Sequence, residues 1–163
     1  MAAYSAIRSS IQSGDLLVWS RTKLRSLNDL KLKAVQIMTQ SSYDHVGIAW
    51  NIGNRLMVVE ARPPEIRIYP LSRLTPFYYV HMGIKWQDEY TEYLLNHIGD
   101  KYSLWEVLTA YFNRNTSDNE WQCAEFVKDF YQHAGLKLDF GYTPKSIVES
   151  AIEESEYGII KAV

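Results

Sequence analysis

The sequence predicts an α+β domain with a mainly antiparallel sheet packed against helices. Three observations predict it. Short runs rich in Val, Ile, Tyr and Trp, bounded by turn formers, recur between residues 15 and 82. Two stretches in the C-terminal half, 86–98 and 120–134, repeat apolar residues at helical spacing. Each of those stretches is followed by a glycine, Gly99 and Gly135, where a left-handed C-cap belongs. At 163 residues the chain has the length of one domain, taken as 1–163.

In chain order, Ser13-Gly14 makes a turn before a strand at residues 15–20. Leu30, Ala34, Val35 and Met38 then recur at helical spacing, with Asn28 able to cap the first turn, so residues 28–40 form a first helix. Residues 45–50 and 55–61 are β-like and flank Asn51-Ile52-Gly53-Asn54, which reads as a hairpin. Residues 66–70 and 77–82 add two strands behind the breaks Pro63-Pro64 and Thr75-Pro76, for at least five strands, and residues 157–162 can return as a last one. A second helix carries Tyr90, Tyr93, Leu94, His97 and Ile98. The third, with Cys123, Phe126, Val127, Phe130, Tyr131 and Ala134, is the best patterned; Asp118 or Asn119, at the end of a polar loop over 113–120, is its expected cap. Thr143 caps a last helix that has Pro144 at its first position.

Composition excludes several classes. A hydrophobic fraction of 47% against 22% charged matches an ordinary globular protein. The net charge of −2 arises from 17 basic and 19 acidic residues mixed along the chain, which leaves no field to draw in nucleic acid. The single cysteine excludes a disulfide framework and a Cys-rich zinc site, and no tight His, Asp, Glu or Cys spacing suggests another metal; no cofactor is expected. The first 13 residues lack the apolar run of a signal peptide, and no stretch approaches the ~20 apolar residues of a transmembrane segment, so the expected location is the cytoplasm or a virion.

The chemistry-bearing candidates begin with Cys123. At a helix start, unpaired amides and the positive end of the macrodipole favour a thiolate. A hairpin turn centred between Ile52 and Gly53 sets Asn51 opposite Asn54 and, counting outward, His45 opposite Glu60. A carboxylate beside an imidazole orients the ring and stabilises its protonated form, the third role in a nucleophile–base–orienter triad. Asp44 is the competing acid, but strand neighbours point to opposite faces. His81, His97 and His133 read as structural, on an aromatic strand and near helix ends. The aromatics Tyr78, Tyr79, Trp86, Tyr90 and Trp105 read first as core and second as the wall of an acyl groove.

These pieces resemble a known family. The order Gly14-Asp15, Asp44-His45-Val46-Gly47-Ile48, Val59-Glu60-Ala61 and Gln122-Cys123-Ala124-Glu125-Phe126-Val127 is similar to that of the circularly permuted NlpC/P60 papain-like hydrolases, the YiiX/YaeF type above all. Residues 13–150 carry the motifs. Asp44 stands where that family usually has Ser or Thr, and Ala124 where it usually has Ser. The resemblance implies a papain-like fold, Cys123 as nucleophile, His45 as base and Glu60 as the polar third residue. Gly99-Asp100-Lys101-Tyr102 resembles the family's Gly-x-x-Tyr segment, which implies that Tyr102 borders the site and assists the oxyanion. The implied activity is cleavage of an amide or peptide bond through an acyl-enzyme. The substrate would be a peptidoglycan peptide, a protein or a lipid. The alternatives are a catalytically silent papain-like binding or structural module, for example a phage particle component or part of another large assembly, and a lipid acyl hydrolase or acyltransferase.

Overall fold

The computed structural model describes residues 4–20, 43–102, 120–136, 141, 143–155 and 159–162. The expected helix at 28–40, the loop at 113–119 with Asp118 and Asn119, and Trp105 lie outside the described residues.

Eight strands, β1 (Leu16–Trp19), β2 (His45–Ile52), β3 (Arg55–Arg62), β4 (Glu65–Pro70), β5 (Phe77–Val80), β6 (Lys101–Tyr102), β7 (Glu120–Trp121) and β8 (Ile159–Ala162), form one sheet in the order β7-β6-β4-β3-β2-β1-β5-β8. The strand pairs are antiparallel except the short parallel contact of β6 with β7. The helices are α1 (Tyr4–Ile7), α2 (Asp88–His97), α3 (Cys123–His133) and α4 (Pro144–Glu154). The chain is α+β, as its patterning predicts.

Alternation along the strands divides the apolar residues between two cores. Val46, Ile48, Trp50, Val59 and Ala61 pack beneath Tyr90 and Leu94 of α2, Phe126, Val127 and Phe130 of α3, and Ile147, Val148 and Ala151 of α4. Leu17, Trp19, Ala49, Val58, Phe77 and Tyr79 face the other way, under Ile7, Ile11 and Leu71. Burial on both faces explains why β1 and much of β2 read as continuous apolar runs, not as alternation. Each fully buried Leu, Ile or Phe contributes about 1.5–3 kcal/mol relative to exposure. Trp86, Tyr78 and Tyr90 pack with the first core, where Trp86 lies against Trp50 and Phe130, and Tyr79 packs with the second.

The β2–β3 hairpin departs from the expected register. Ile52 pairs with Arg55 and Ile48 with Val59, so the turn consists of Gly53 and Asn54, one residue later than the expected centre. Gly53 takes φ +59, the left-handed conformation that this tight turn requires and that the β-branched Ile52 would adopt only with strain. Val46 is therefore not opposite Val59, and His45 is not directly opposite Glu60. Moving the turn by one residue changes each pairing by two positions, however, and two positions preserve the face. Continuing the observed register sets Gly47 across from Glu60, which leaves His45 and Glu60 as diagonal neighbours on one face.

The start of α3 also differs from expectation. The helix is expected from residue 120, but the chain uses residues 120 and 121 in the parallel contact Lys101↔Glu120 and Tyr102↔Trp121. The helix begins at Cys123, and its cap position is Gln122, with extended backbone at φ −103 and ψ 161. Cys123 is thus the first helical residue. At α4 the expectation holds: Thr143 Oγ1 accepts from the Ser146 amide at 3.2 Å, the Thr143 amide donates back to Ser146 Oγ at 3.2 Å, and Pro144 opens the helix.

Candidate active site

His45 opens β2, Glu60 lies near the end of β3, and Cys123 opens α3, which packs on both strands. His45 Nε2 lies 2.6 Å from Glu60 Oε2, and Glu60 is fully buried. The remaining ring nitrogen, Nδ1, is the one left for the hydrogen bond between His45 and Cys123. The chain thereby links Cys123, His45 and Glu60, three residues from three separate elements. Asp44 is not the acid on this histidine nitrogen.

Burial alone would lower the basicity of His45, but hydrogen bonds to Cys123 and Glu60, together with the negative charge of both, outweigh it and hold its pKa at about 9. Burial likewise opposes ionisation of Glu60, and here the hydrogen bonds and positive charge of His45 and Arg67 prevail, bringing its pKa to about 2. Tyr102 adjoins the same site: burial first, and the charge of Cys123 second, raise its pKa against the opposing effect of Arg62. The phenol therefore stays protonated and can donate a hydrogen bond.

Two neighbours escaped the sequence reading. Arg67 pairs directly with Glu60 across β3–β4 and donates to Glu60 Oε1 from Nε at 2.9 Å and from Nη2 at 2.6 Å. A signal for it existed. Arg62 pairs with Glu65 around Pro63-Pro64, and counting outward from that two-residue turn reaches Glu60 and Arg67. Trp19 pairs with His45 and places its ring 5.4 Å from the imidazole, while its Nε1 donates to the Leu74 carbonyl at 2.8 Å. Only the twist and pairing of β1 on β2 bring it there.

Gly47 is the spacer that makes the diagonal contact accessible. A Cβ at this position would come 2.8 Å from Val58 Cγ2, 3.1 Å from the Val59 carbonyl oxygen and 3.3 Å from Glu60 Cβ. Gly47→Ala is expected to destabilise the chain by about 1–3 kcal/mol through overpacking against a backbone that cannot yield. Thermal unfolding of the variant checks this; an unchanged Tm would show that the strand has room to spare.

The other histidines lie elsewhere. His81 Nδ1 is 2.9 Å from Asp15 Oδ2, and Asp15 also accepts from the amides of Gln12 at 2.8 Å and Met82 at 3.3 Å, which ties the start of β1 to the end of β5. His97 and His133 flank the ring of Tyr93 at 4.4 and 4.5 Å, and the Tyr93 hydroxyl donates to Asp129. Among the described residues, no group of three His, Cys, Asp or Glu side chains is disposed to hold a metal ion, and no helix is long and apolar enough to cross a membrane.

The architecture is that of an α+β protein of papain-like type. Its fold is similar to the crystal structure of the metalloprotein yiiX from Escherichia coli O157:H7, with a TM-score of 0.57 and 21% sequence identity, over 78% of this chain and 68% of that one. At this identity the likeness is one of fold. No protein-family model and no curated protein matches the chain.

Proposed function

We propose that the chain is a thiol hydrolase of the permuted NlpC/P60 type, cleaving an amide or peptide bond through Cys123, His45 and Glu60. The observation that carries this reading is the hydrogen-bonded succession from Cys123 to a buried His45 and on to a buried Glu60, at the N-terminus of a helix. A structural cysteine needs no such partners. In this reading the reacting pair is a Cys123 thiolate beside the protonated His45.

Cys123 Sγ attacks the carbonyl carbon and forms the C–S bond. As the tetrahedral intermediate collapses, His45 Nδ1 gives its proton to the leaving nitrogen and the C–N bond breaks. Water then attacks the thioester while His45 takes one of its protons, and rupture of the C–S bond restores the thiolate. The oxyanion receives hydrogen bonds from the Cys123 amide, which as the first of the helix has no intrahelical acceptor, and from the protonated Tyr102 hydroxyl. Because the histidine is protonated at rest, its first act is to deliver a proton, not to remove one. Peptidoglycan peptides, other peptides and lipid acyl groups are the substrate classes to assay, on a purified cell-wall preparation among others.

Burial of the thiol, at 6% exposure, is the observation that favours the rival reading, a silent papain-like module within a larger assembly. Alkylation separates the two. The second-order rate of Cys123 with iodoacetamide at pH 7 is expected to fall at least tenfold in His45→Ala, since the thiolate loses its counter-ion. Equal, ordinary thiol rates in both proteins would retire the hydrolase.

A further inference from the structure

Glu60 is enclosed completely, yet each of its oxygens has its own cationic neighbour. Oε2 belongs to His45, at 2.6 Å, and Oε1 to the two-pronged contact from Arg67, at 2.9 and 2.6 Å. Arg67 reaches Glu60 from the directly opposing position on β4, and its guanidinium also lies 4.6 Å from the centre of the Tyr69 ring, two residues along the same strand. Both prongs meet on Oε1 and leave Oε2 to His45, so the carboxylate is held at each oxygen and cannot turn without giving up one contact or the other.

We propose that Arg67 is a positioning residue for the Cys123–His45 pair: its fork keeps Glu60 ionised and aims Oε2 at the imidazole. The role rests on the hydrolase reading, and it acts entirely through Glu60. An isolated buried Glu–His pair has an escape from its desolvation cost, because the proton can move to the carboxylate and leave two neutral groups. Arginine closes that escape, since its guanidinium does not surrender a proton at any pH a protein survives. The proton stays on the ring. Arg67 and Glu60 then cancel, leaving His45 and Cys123 as a second balanced pair. The other groups near the site, Tyr102 beside Cys123 and Arg62 beside Tyr102, are not among the hydrogen-bond partners of Glu60.

Two measurements on the full chain test this. In the first, the Glu60 carboxyl carbon is followed by NMR, assigned with Glu60→Gln. Glu60 is expected to remain ionised to the acid edge of the folded wild-type chain and to titrate about 1–3 pH units higher in Arg67→Met. A wild-type Glu60 titrating near the ordinary ~4.3 would overturn the proposal, and this arm needs no folded variant. In the second, Cys123 alkylation by iodoacetamide is measured against pH. The acid limb is expected to move upward in Arg67→Met and to return most of the way in Arg67→Lys, which restores the cation, while the plateau rate stays below wild type because a point donor is not a fork. An acid limb unmoved in Arg67→Met, whatever its Tm, would make Arg67 merely structural. Alkylation indifferent to His45→Ala would defeat the hydrolase reading instead, and the Glu60 titration keeps that failure separate.

Discussion

Glu60→Gln is expected to lower the stability of the chain by about 3 kcal/mol, the low end of the range for removing one partner of a buried ionic group. The side chain keeps its shape, so packing is little changed. What it loses is the negative charge between His45 and Arg67, and its new NH2 points a donor at a donor. Two reliefs keep the loss from being larger: His45 can shed its proton, and the Arg67 side chain, 33% exposed, retains part of its water. Chemical denaturation at pH 6 measures the effect, and a change below 1 kcal/mol would mean that the site tolerates an unbalanced cation.

The pH dependence follows from the same network, and the two groups act in opposite directions. Glu60 is held below its unfolded value of 4.5, so its contribution is complete above about pH 4.5 and is lost as the pH falls towards about 2. His45 is held above its unfolded value of 6.5, so its contribution is complete below about pH 6.5 and is lost as the pH rises through about 9. The network is therefore most stabilising between about pH 4.5 and 6.5. Wild-type Tm should decline from pH 6.5 to 9 by more than that of Glu60→Gln, and parallel curves would rule the linkage out.

The shared face of His45 and Glu60 is legible in the sequence because period and parity survive errors of counting. The hairpin turn was placed one residue early, on Ile52 and Gly53 instead of Gly53 and Asn54, and the predicted direct pair dissolved. The shared face did not, since a two-position slip returns every strand side chain to the same side. The start of α3 was misread for a different reason. The helix is expected from residue 120, and what removes Glu120 and Trp121 from it is a parallel contact with residues 101 and 102, which no local pattern reveals. Tyr102 was reached by resemblance to a motif, and its proximity to Cys123 depends on that same contact. Arg67 follows from a second hairpin count, outward from Pro63-Pro64 on β3 and β4, which is independent of the register of β2 on β3.

Cys123→Ser is expected to abolish acyl-enzyme formation, with a loss of at least 10³-fold in the rate on an activated ester such as p-nitrophenyl acetate. An activated ester is the suitable first probe because its leaving group departs without a proton from His45, so the assay reports the nucleophile before the natural substrate is known. The substitution changes one atom at the first position of α3 and keeps the side chain's shape, so the fold should be retained. The serine hydroxyl has no access to the ion pair: a histidine held protonated to about pH 9 is a poor base for a group that must lose its proton to react. A thiol is far more acidic than an alcohol and can react as the thiolate beside that imidazolium. The prediction is therefore steeper here than for a site whose histidine rests neutral. A burst of p-nitrophenol in the wild type that persists in Cys123→Ser would place the nucleophile elsewhere, whereas its loss in Cys123→Ser and its slowing by at least about tenfold in His45→Ala, through loss of the thiolate's counter-ion, would assign the two roles.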